Sequence, residues 1–392
     1  MKKKVLAVLL SAFVAVTAFA ACGSSENSSD TAEETSEEEE TEETEEVEES
    51  EPQEEDEQEE PSEEEEETEV EETEVEAGAV YKVGIVQYMD HASLNQITEN
   101  IETELDEKGE ELGVTFEYDS YFINGQGDAT VISQGLAQLK DDGVDIVVCV
   151  ATPTATAAQS TFEDTDTPIV FAAVSDPVGA GLVDSMEEPG GQITGTSDTF
   201  SAETLLNLAF AADPDADKIG LLYSTSEDSS IQSIADAKAY LDEIGIEYVE
   251  KTGTSTTEVS QAVDALIAEG VDAIFTPSDN TVMSAELSIY EKLIEAGIPH
   301  YAGADSFALN GAFVGFGVSY IELGLETGDV VADILVGGED PATYSVVTFE
   351  NGIATINTET AEALGLDLAE VEAAFEEYCS EIVETTTAEE FE

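Results

Sequence analysis

From Val80 onward the chain alternates short, unbroken apolar runs with amphipathic stretches, and it does so in two successive units. The run KVGIVQY is followed by LNQITENIETELDEKGEELG, where Leu94, Ile97, Ile101 and Leu105 recur at helical spacing. Strand VTFEYDSY, helix DATVISQGLAQLKDDG, strand DIVVCVAT, helix PTATAAQSTFED and strands PIVFAAV and QITGTS complete the first unit. The second starts near Ala202 and runs through strand KIGLLYS, helix SIQSIADAKAYLDEIG, strand EYVEK, helix TEVSQAVDALIAEG, strand DAIFTP, helix TVMSAELSIYEKLIEAG and strand IPHYAG. Strands that read as continuous apolar runs between helices are buried on both faces, which requires a parallel sheet. Two such units without a disordered joint predict an α/β protein of two doubly wound, Rossmann-like lobes with a ligand cleft between them. Enzymes share that architecture, so the fold leaves the function open.

The residues before Val80 follow other rules. Lys2, Lys3 and Lys4 precede the apolar run VLAVLLSAFVAVTAFA, which is short for a membrane span and ends in Phe19-Ala20-Ala21-Cys22. That ending looks like a lipobox, so residues 1–22 are read as a lipoprotein signal peptide with lipidation at Cys22. The chain is then held to the extracytoplasmic face of a bacterial cell membrane. Of the 92 acidic residues in the 392-residue chain, 31 fall between Glu26 and Glu76, where there is no lysine. Such a block cannot bury apolar surface and repels itself, so residues 23–79 are expected to form a disordered tether. The whole chain has ten lysines, no arginine and a net charge of −82. A field of that sign repels nucleic acid and anionic lipid headgroups. Beyond Cys22 the cysteines are Cys149 and Cys379, and the histidines are His91 and His300. Neither a disulfide framework, a zinc site nor any cofactor motif follows from that set. Cys149, inside DIVVCV, reads as core, and His300 as structural.

Open α/β sheets bind ligands at the carboxyl ends of their strands. After the first strand come Gln87, Tyr88 and His91. Thr152-Pro153-Thr154 follows the third, with Thr152 suited to a helix N-cap and Pro153 to the first helical position. Ser175 and Asp176 follow the fourth, and Ser197 and Asp198 stand between the units. In the second unit STSEDSS brings Ser229 and Ser230, PSDNT brings Ser278, Asp279 and Asn280, and GADS brings Asp305. This ring of hydroxyls, carboxylates and amides contains no nucleophile–base pair, so a secreted enzyme is disfavoured. It suits a zwitterion, with a carboxylate on N–H groups and hydroxyls at a helix start and an ammonium on Asp176, Asp279 or Asp305. Without arginine, no bidentate clamp is available for the carboxylate. Tyr88, Phe171, Tyr223 and Tyr320 are candidates to stack on an aromatic ligand, with Phe171 the one expected in the core.

The segments VGIVQYMDHASLN, NGQGD, VATPTATAAQ, AAVSDPVGAGLV, GTSD, PSDNTVMSA and GADSFALNGAFVGFGVSYIELGLETG carry a family pattern. In that order, from Tyr81 to Gly338, they resemble the tryptophan/tyrosine-type substrate-binding proteins of ABC transporters. The resemblance implies a type I periplasmic-binding-protein fold with three crossings between lobes. It also implies an amino acid in the cleft, commonly tryptophan, tyrosine or phenylalanine, and a monomer that delivers it to an ABC permease and its ATPase. Lobe 1 is then expected over 80–196 and 309–338, lobe 2 over 197–308 and 339–368, and an acidic helix and fraying tail over 369–392. Asp228 stands where members of the family often carry asparagine. The same fold also serves nucleosides, sugars and sensor lipoproteins.

Overall fold

The computed structural model describes residues 78–349 and 352–391. The signal-like segment, Cys22 and the acidic block lie outside the described residues. The first lobe runs β1 (Val80–Gln87), α1 (Ala92–Leu112), β2 (Thr115–Glu117), β3 (Phe122–Asn124), α2 (Ala129–Asp142), β4 (Ile146–Val150), α3 (Thr152–Phe162), β5 (Ile169–Ala172) and β6 (Ile193–Ser197). The second lobe begins with α4 (Ala202–Ala212), β7 (Lys218–Tyr223), α5 (Asp228–Ile244), β8 (Glu247–Thr252) and α6 (Thr256–Glu269). It continues with β9 (Ala273–Thr276), α7 (Asn280–Met283), α8 (Glu286–Ala296), β10 (His300–Ala302), α9 (Asp305–Leu309) and β11 (Val314–Gly317). The chain then returns to the first lobe through α10 (Tyr320–Ala332) and β12 (Val347–Thr348). It closes in the second with β13 (Ile353–Asn357), α11 (Thr358–Leu364), α12 (Leu368–Phe375) and β14 (Glu381–Thr385).

Each lobe is built on a seven-stranded sheet. The first has the order β12-β6-β5-β4-β1-β2, every pair parallel. The single strand expected over VTFEYDSY is broken by a 3₁₀ turn at Asp119–Tyr121. Its halves pair with opposite ends of β1, β2 with Val80–Lys82 and β3 with Ile85–Gln87. The second sheet has the order β14-β13-β11-β10-β9-β7-β8, parallel except where β13 meets β11. Burial explains the apolar runs: every residue of β4 is fully buried, and Cys149 within it has its thiol pushed up by burial.

Caps set the helix limits. Asp128 accepts the N–H of Thr130 at 2.7 Å to start α2, and Gly143 ends it with a left-handed φ of 63°. Helix α10 is clamped on α1 through glycine. A Cβ on Gly324 would lie 2.6 Å from the Ile97 carbonyl oxygen, and one on Gly328 would lie 2.6 Å from Glu104 Cβ. Lys108 of α1 reaches Asp329 of α10 at 2.5 Å.

The chain crosses between sheets after β6, after β11 and after β12. Two limits differ from the expectation. Val314–Gly317 pairs with β10 and β13, so the chain stays in the second sheet past residue 309 and leaves it only after Gly317. The return to the first lobe extends beyond 338, because Val347 and Thr348 pair with β6. The C-terminal stretch does more than fray. Glu381–Thr385 adds an edge strand to β13, and Ala388 bonds through its N–H to Leu309 O at 2.8 Å. Its glutamates are the charged residues that natural sheet edges use to discourage further pairing.

Candidate functional site

Residues after β1, β4, β5, β6, β7, β9, β10 and β11 line one cleft between the lobes. The first-lobe wall is formed by His91, Ser93 and Leu94 at the start of α1, Ala151 and Thr152 at the start of α3, and Ala173 and Ser175 after β5. The opposite wall includes Ser229 on α5, Ser278, Asp279, Asn280 and Met283 around α7, and Ser306 and Phe307 on α9. Asp198 and Tyr320 enter from two of the crossings.

The first-lobe wall is neutral and partly strained. Ala151 and Ala173 have φ of 79° and 55°, conformations in which a Cβ costs about 1–2 kcal/mol. Such strain persists where the surroundings impose it, and it clusters at binding sites. Ala151 also takes the N-cap place expected of Thr152, which is instead the first helical residue, with Pro153 following it. Thr152 is buried, and its hydroxyl makes no hydrogen bond among the described residues.

Carboxylates gather on the other side and at the crossing. Asp198 accepts Ser175 Oγ at 2.8 Å, Ser278 Oγ at 3.2 Å and the Tyr320 hydroxyl at 3.3 Å; burial still raises its carboxyl above the usual range. Asp279 caps α7 by accepting Val282 N–H at 2.9 Å, and also takes Ser224 N–H at 2.6 Å and Ser230 Oγ at 2.7 Å. Burial raises it as well. Glu227 accepts Asn280 Nδ2 at 3.2 Å and Thr281 Oγ1 at 3.0 Å, yet burial, then the neighbouring Asp279, push it to about 7. Burial takes Asp305 to about 6, although Ser93 donates to it at 3.0 Å. All these donors are uncharged. None of the residues lining the cleft is a lysine, and the described lysines bond elsewhere.

Several contacts join the lobes across the cleft. Ser93 meets Asp305, His91 Nε2 lies 3.1 Å from Asn280 Oδ1, and Ser284 Oγ approaches Met89 Sδ at 3.4 Å.

Of the expected residues, His91, Thr152, Ser175, Asp198, Ser229, Asp279, Asn280 and Tyr320 line this cleft. The others support it or lie apart. Gln87 braces the β1–α1 turn by donating to Asn95 and Met89 O and accepting from Thr98. Thr154 donates to Val150 O and Ala151 O, Ser197 to Val174 O, and Ser230 to Asp279. Tyr88 is half-buried outside the lining, with its phenol pushed up to about 12 mainly by burial. Asp305 stands just behind the wall, its carboxylate on Ser93. Asp176 is displaced: its Oδ1 accepts Gly179 N–H at 2.8 Å, and it borders a separate cavity beside Pro177 and Phe349. Phe171 is fully buried in the core, and Tyr223 donates to Glu250 on β8, so neither reaches the cleft. Sequence reasoning passed over Glu227, Ser93, Ser306 and Phe307. Glu227 and Phe307 both stand beside residues named in the sequence, Glu227 within STSEDSS near Ser229 and Ser230, and Phe307 two positions after Asp305.

Two parallel-sheet lobes with a polar cleft at their strand ends define the type I periplasmic-binding-protein architecture. Residues 82–375 match the family described as ABC transporter substrate binding protein, and the chain belongs to that family. Among curated relatives it is 32% identical over 284 residues to the "Tyrosine-binding protein" of Clostridioides difficile (strain R20291), covering 72% of this chain and 81% of that one. A solved ABC domain from Streptococcus pneumonia in complex with L-Trp superposes with a TM-score of 0.70 at 30% identity, covering 78% of this chain and 100% of that one. The ligand-free, open structure of a substrate-binding protein with adhesive properties from Clostridium difficile gives 0.59 at 29% identity, covering 79% and 100%. The protein is thus an extracytoplasmic solute-binding component of an ABC transporter and a binder rather than an enzyme. Among the described residues no helix is long and apolar enough to cross a membrane.

Proposed function

We propose that the cleft holds an aromatic amino acid as a zwitterion and closes over it for delivery to the permease and its ATPase. The observation that carries this reading is the set of buried carboxylates, Asp198, Asp279 and Glu227, held only by neutral donors. A buried carboxylate without a cation is costly, and a ligand ammonium offsets that cost. Asp198 is the best placed to take it, because it lines the cleft and is touched from both lobes, by Ser175 and by Ser278. Asp279 is committed to holding α7 and the β7–α5 loop. The ligand carboxylate then falls to Thr152 and the start of α3, where the helix dipole favours negative charge. Leu94, Met283, Phe307 and Tyr320 supply the apolar wall for a ring. Two relatives, one a tyrosine-binding protein and one solved in complex with L-Trp, support the ligand class.

Signal-peptide cleavage before Cys22, a lipid anchor on that cysteine, a spacer over residues 23–79 and a monomeric working state complete the proposal. Substituting Cys22→Ser should release the protein into the medium.

The chain contains no tryptophan, so emission from bound L-Trp is free of protein background. Titrations with the common amino acids, nucleosides and sugars should give saturable binding for tryptophan, tyrosine or phenylalanine. Binding confined to a nucleoside or a sugar would overturn the aromatic assignment.

A further inference from the structure

We infer that His91 reads the ligand's side chain, accepting a hydrogen bond at Nδ1 from an O–H or N–H on the aromatic ring. This rests on the aromatic amino-acid reading and sharpens it to rings that carry a donor.

The inference starts from Glu227, whose carboxylate takes Thr281 Oγ1 at 3.0 Å and Asn280 Nδ2 at 3.2 Å. Those bonds fix the Asn280 amide with its NH₂ toward the acid. The amide oxygen is left facing His91, 3.1 Å from Nε2. A carbonyl oxygen only accepts, so Nε2 must carry the ring proton. Burial lowers His91 to about 4, so the ring is neutral at ordinary pH and Nδ1 keeps its lone pair. Nδ1 is shut from solvent with no hydrogen-bond partner among the described residues.

The residues that line the cleft with His91 suggest which part of a ligand meets it. His91, the extended residue that precedes α1, and Asn280, the first residue of α7, both line the cleft, and so do Leu94 and Met283 in the turns that follow them. Asp198, the acid proposed for the ammonium, is bonded by Ser175, Ser278 and Tyr320 and by neither His91 nor Asn280, while Leu94 and Met283 add apolar surface to the lining that His91 and Asn280 share. A ring hydroxyl or indole N–H satisfies Nδ1, whereas a phenylalanine ring leaves it orphaned. Sites built on a buried acceptor reject the analogue that lacks the donor.

The test is calorimetric titration of the full chain with L-tyrosine, L-tryptophan and L-phenylalanine. The wild type should bind the better donor-bearing ligand about 10- to 100-fold more tightly than phenylalanine. In His91→Leu the gap should shrink to within about threefold while phenylalanine affinity holds. His91→Asn, which keeps an acceptor near the Nδ1 position, should recover part of it. Nitrogen-15 NMR of the wild type should show the Nε2–H tautomer, with the Nδ1 signal moving on binding the donor-bearing ligand and staying put with phenylalanine. Equal affinity for all three in the wild type would overturn the role of His91 and leave the aromatic reading standing. So would the Nδ1–H tautomer, or an undiminished gap in a folded His91→Leu. If none of the three binds, the aromatic reading itself falls, and the inference with it.

Discussion

The second lobe buries carboxylates in two settings and treats them differently. Glu286 on α8 is fully buried, and His300 Nδ1 lies 3.1 Å from each of its oxygens, with Thr276 on the other ring nitrogen at 2.8 Å. That acid has a partner able to carry positive charge, and neither residue lines the cleft. The cleft acids have only hydroxyls, amides and backbone N–H groups around them. Neutral donors orient a carboxylate but do not balance it, and burial accordingly raises Asp198, Asp279 and Glu227. A self-contained pair belongs to the scaffold. An unbalanced set points to a cation that comes from outside.

Breaking the self-contained pair should have the largest effect. His300→Ala leaves Glu286 buried and alone, and should cost about 3–5 kcal/mol of stability in a denaturant titration. Ligand affinity of the folded fraction should hold. The mirror experiment is Asp198→Asn, which removes the charge and keeps the shape. Affinity should fall by about 2–3 kcal/mol, roughly 30- to 150-fold, measured by calorimetry. The ligand-free melting temperature should stay level or rise, because an uncompensated buried charge has gone. An Asp198→Asn protein that melts early and binds normally would put both sets of acids in the scaffold.

The same contrast shows what was legible in the sequence. The lobes were, because β-runs such as IVVCV and the stripe of α1 report burial directly, whichever fold supplies it. The ring of strand-end residues was legible too, since a parallel sheet places its carboxyl ends together. What each residue does there was not. Serine, threonine and aspartate prefer turns and caps whether or not they touch a ligand. Thr154, Ser197 and Ser230 spend their hydroxyls inside the protein, and Asp176 spends its carboxylate on Gly179. Glu227 is the converse case, a glutamate buried by contacts that come from α7, more than fifty positions along the chain. The crossing after Gly317 was placed early because β11 is short, and its pairing with β13 is set by a strand still to come.

Acidity offers a gentler probe of the unbalanced set. Without ligand, Glu227 stands at about 7 against an ordinary 4.5, and Asp305 at about 6 against 3.8, both chiefly through burial. An ammonium on Asp198, whose carboxyl burial also raises, favours the ionised set, so binding should weaken as pH falls through the range of these raised acids. The loss should approach tenfold per pH unit for each acid that must ionise. His91, lowered to about 4, stays neutral across this window. Stability of the ligand-free protein should run the other way. Raised carboxyls hold protons more tightly folded than unfolded, so their favourable contribution is fully present below about pH 4 and is lost as pH rises through about 7. Dissociation constants and ligand-free melting temperatures from about pH 8 to about pH 5 should therefore slope oppositely. A flat binding profile would place the ammonium away from these acids.

The smallest expected effect concerns closure itself. Ser93 donates from the first lobe to Asp305 in the second at 3.0 Å, a bond that joins the two lobes across the cleft. A hydrogen bond to a carboxylate contributes about 1.5–3 kcal/mol, less where water can replace the donor on opening. Ser93→Ala should therefore weaken binding by about fivefold, or roughly 1 kcal/mol, chiefly by faster release. Ser284→Ala removes the 3.4 Å approach to Met89 Sδ and a 2.8 Å bond to Asn280 O within its own lobe, and should change release by less than about twofold. If the two variants released ligand at the same rate, Ser93 and Asp305 would carry none of the energy of closure. The cross-lobe work would then rest with Asp198 and its two serines, touched from both sides at the crossing.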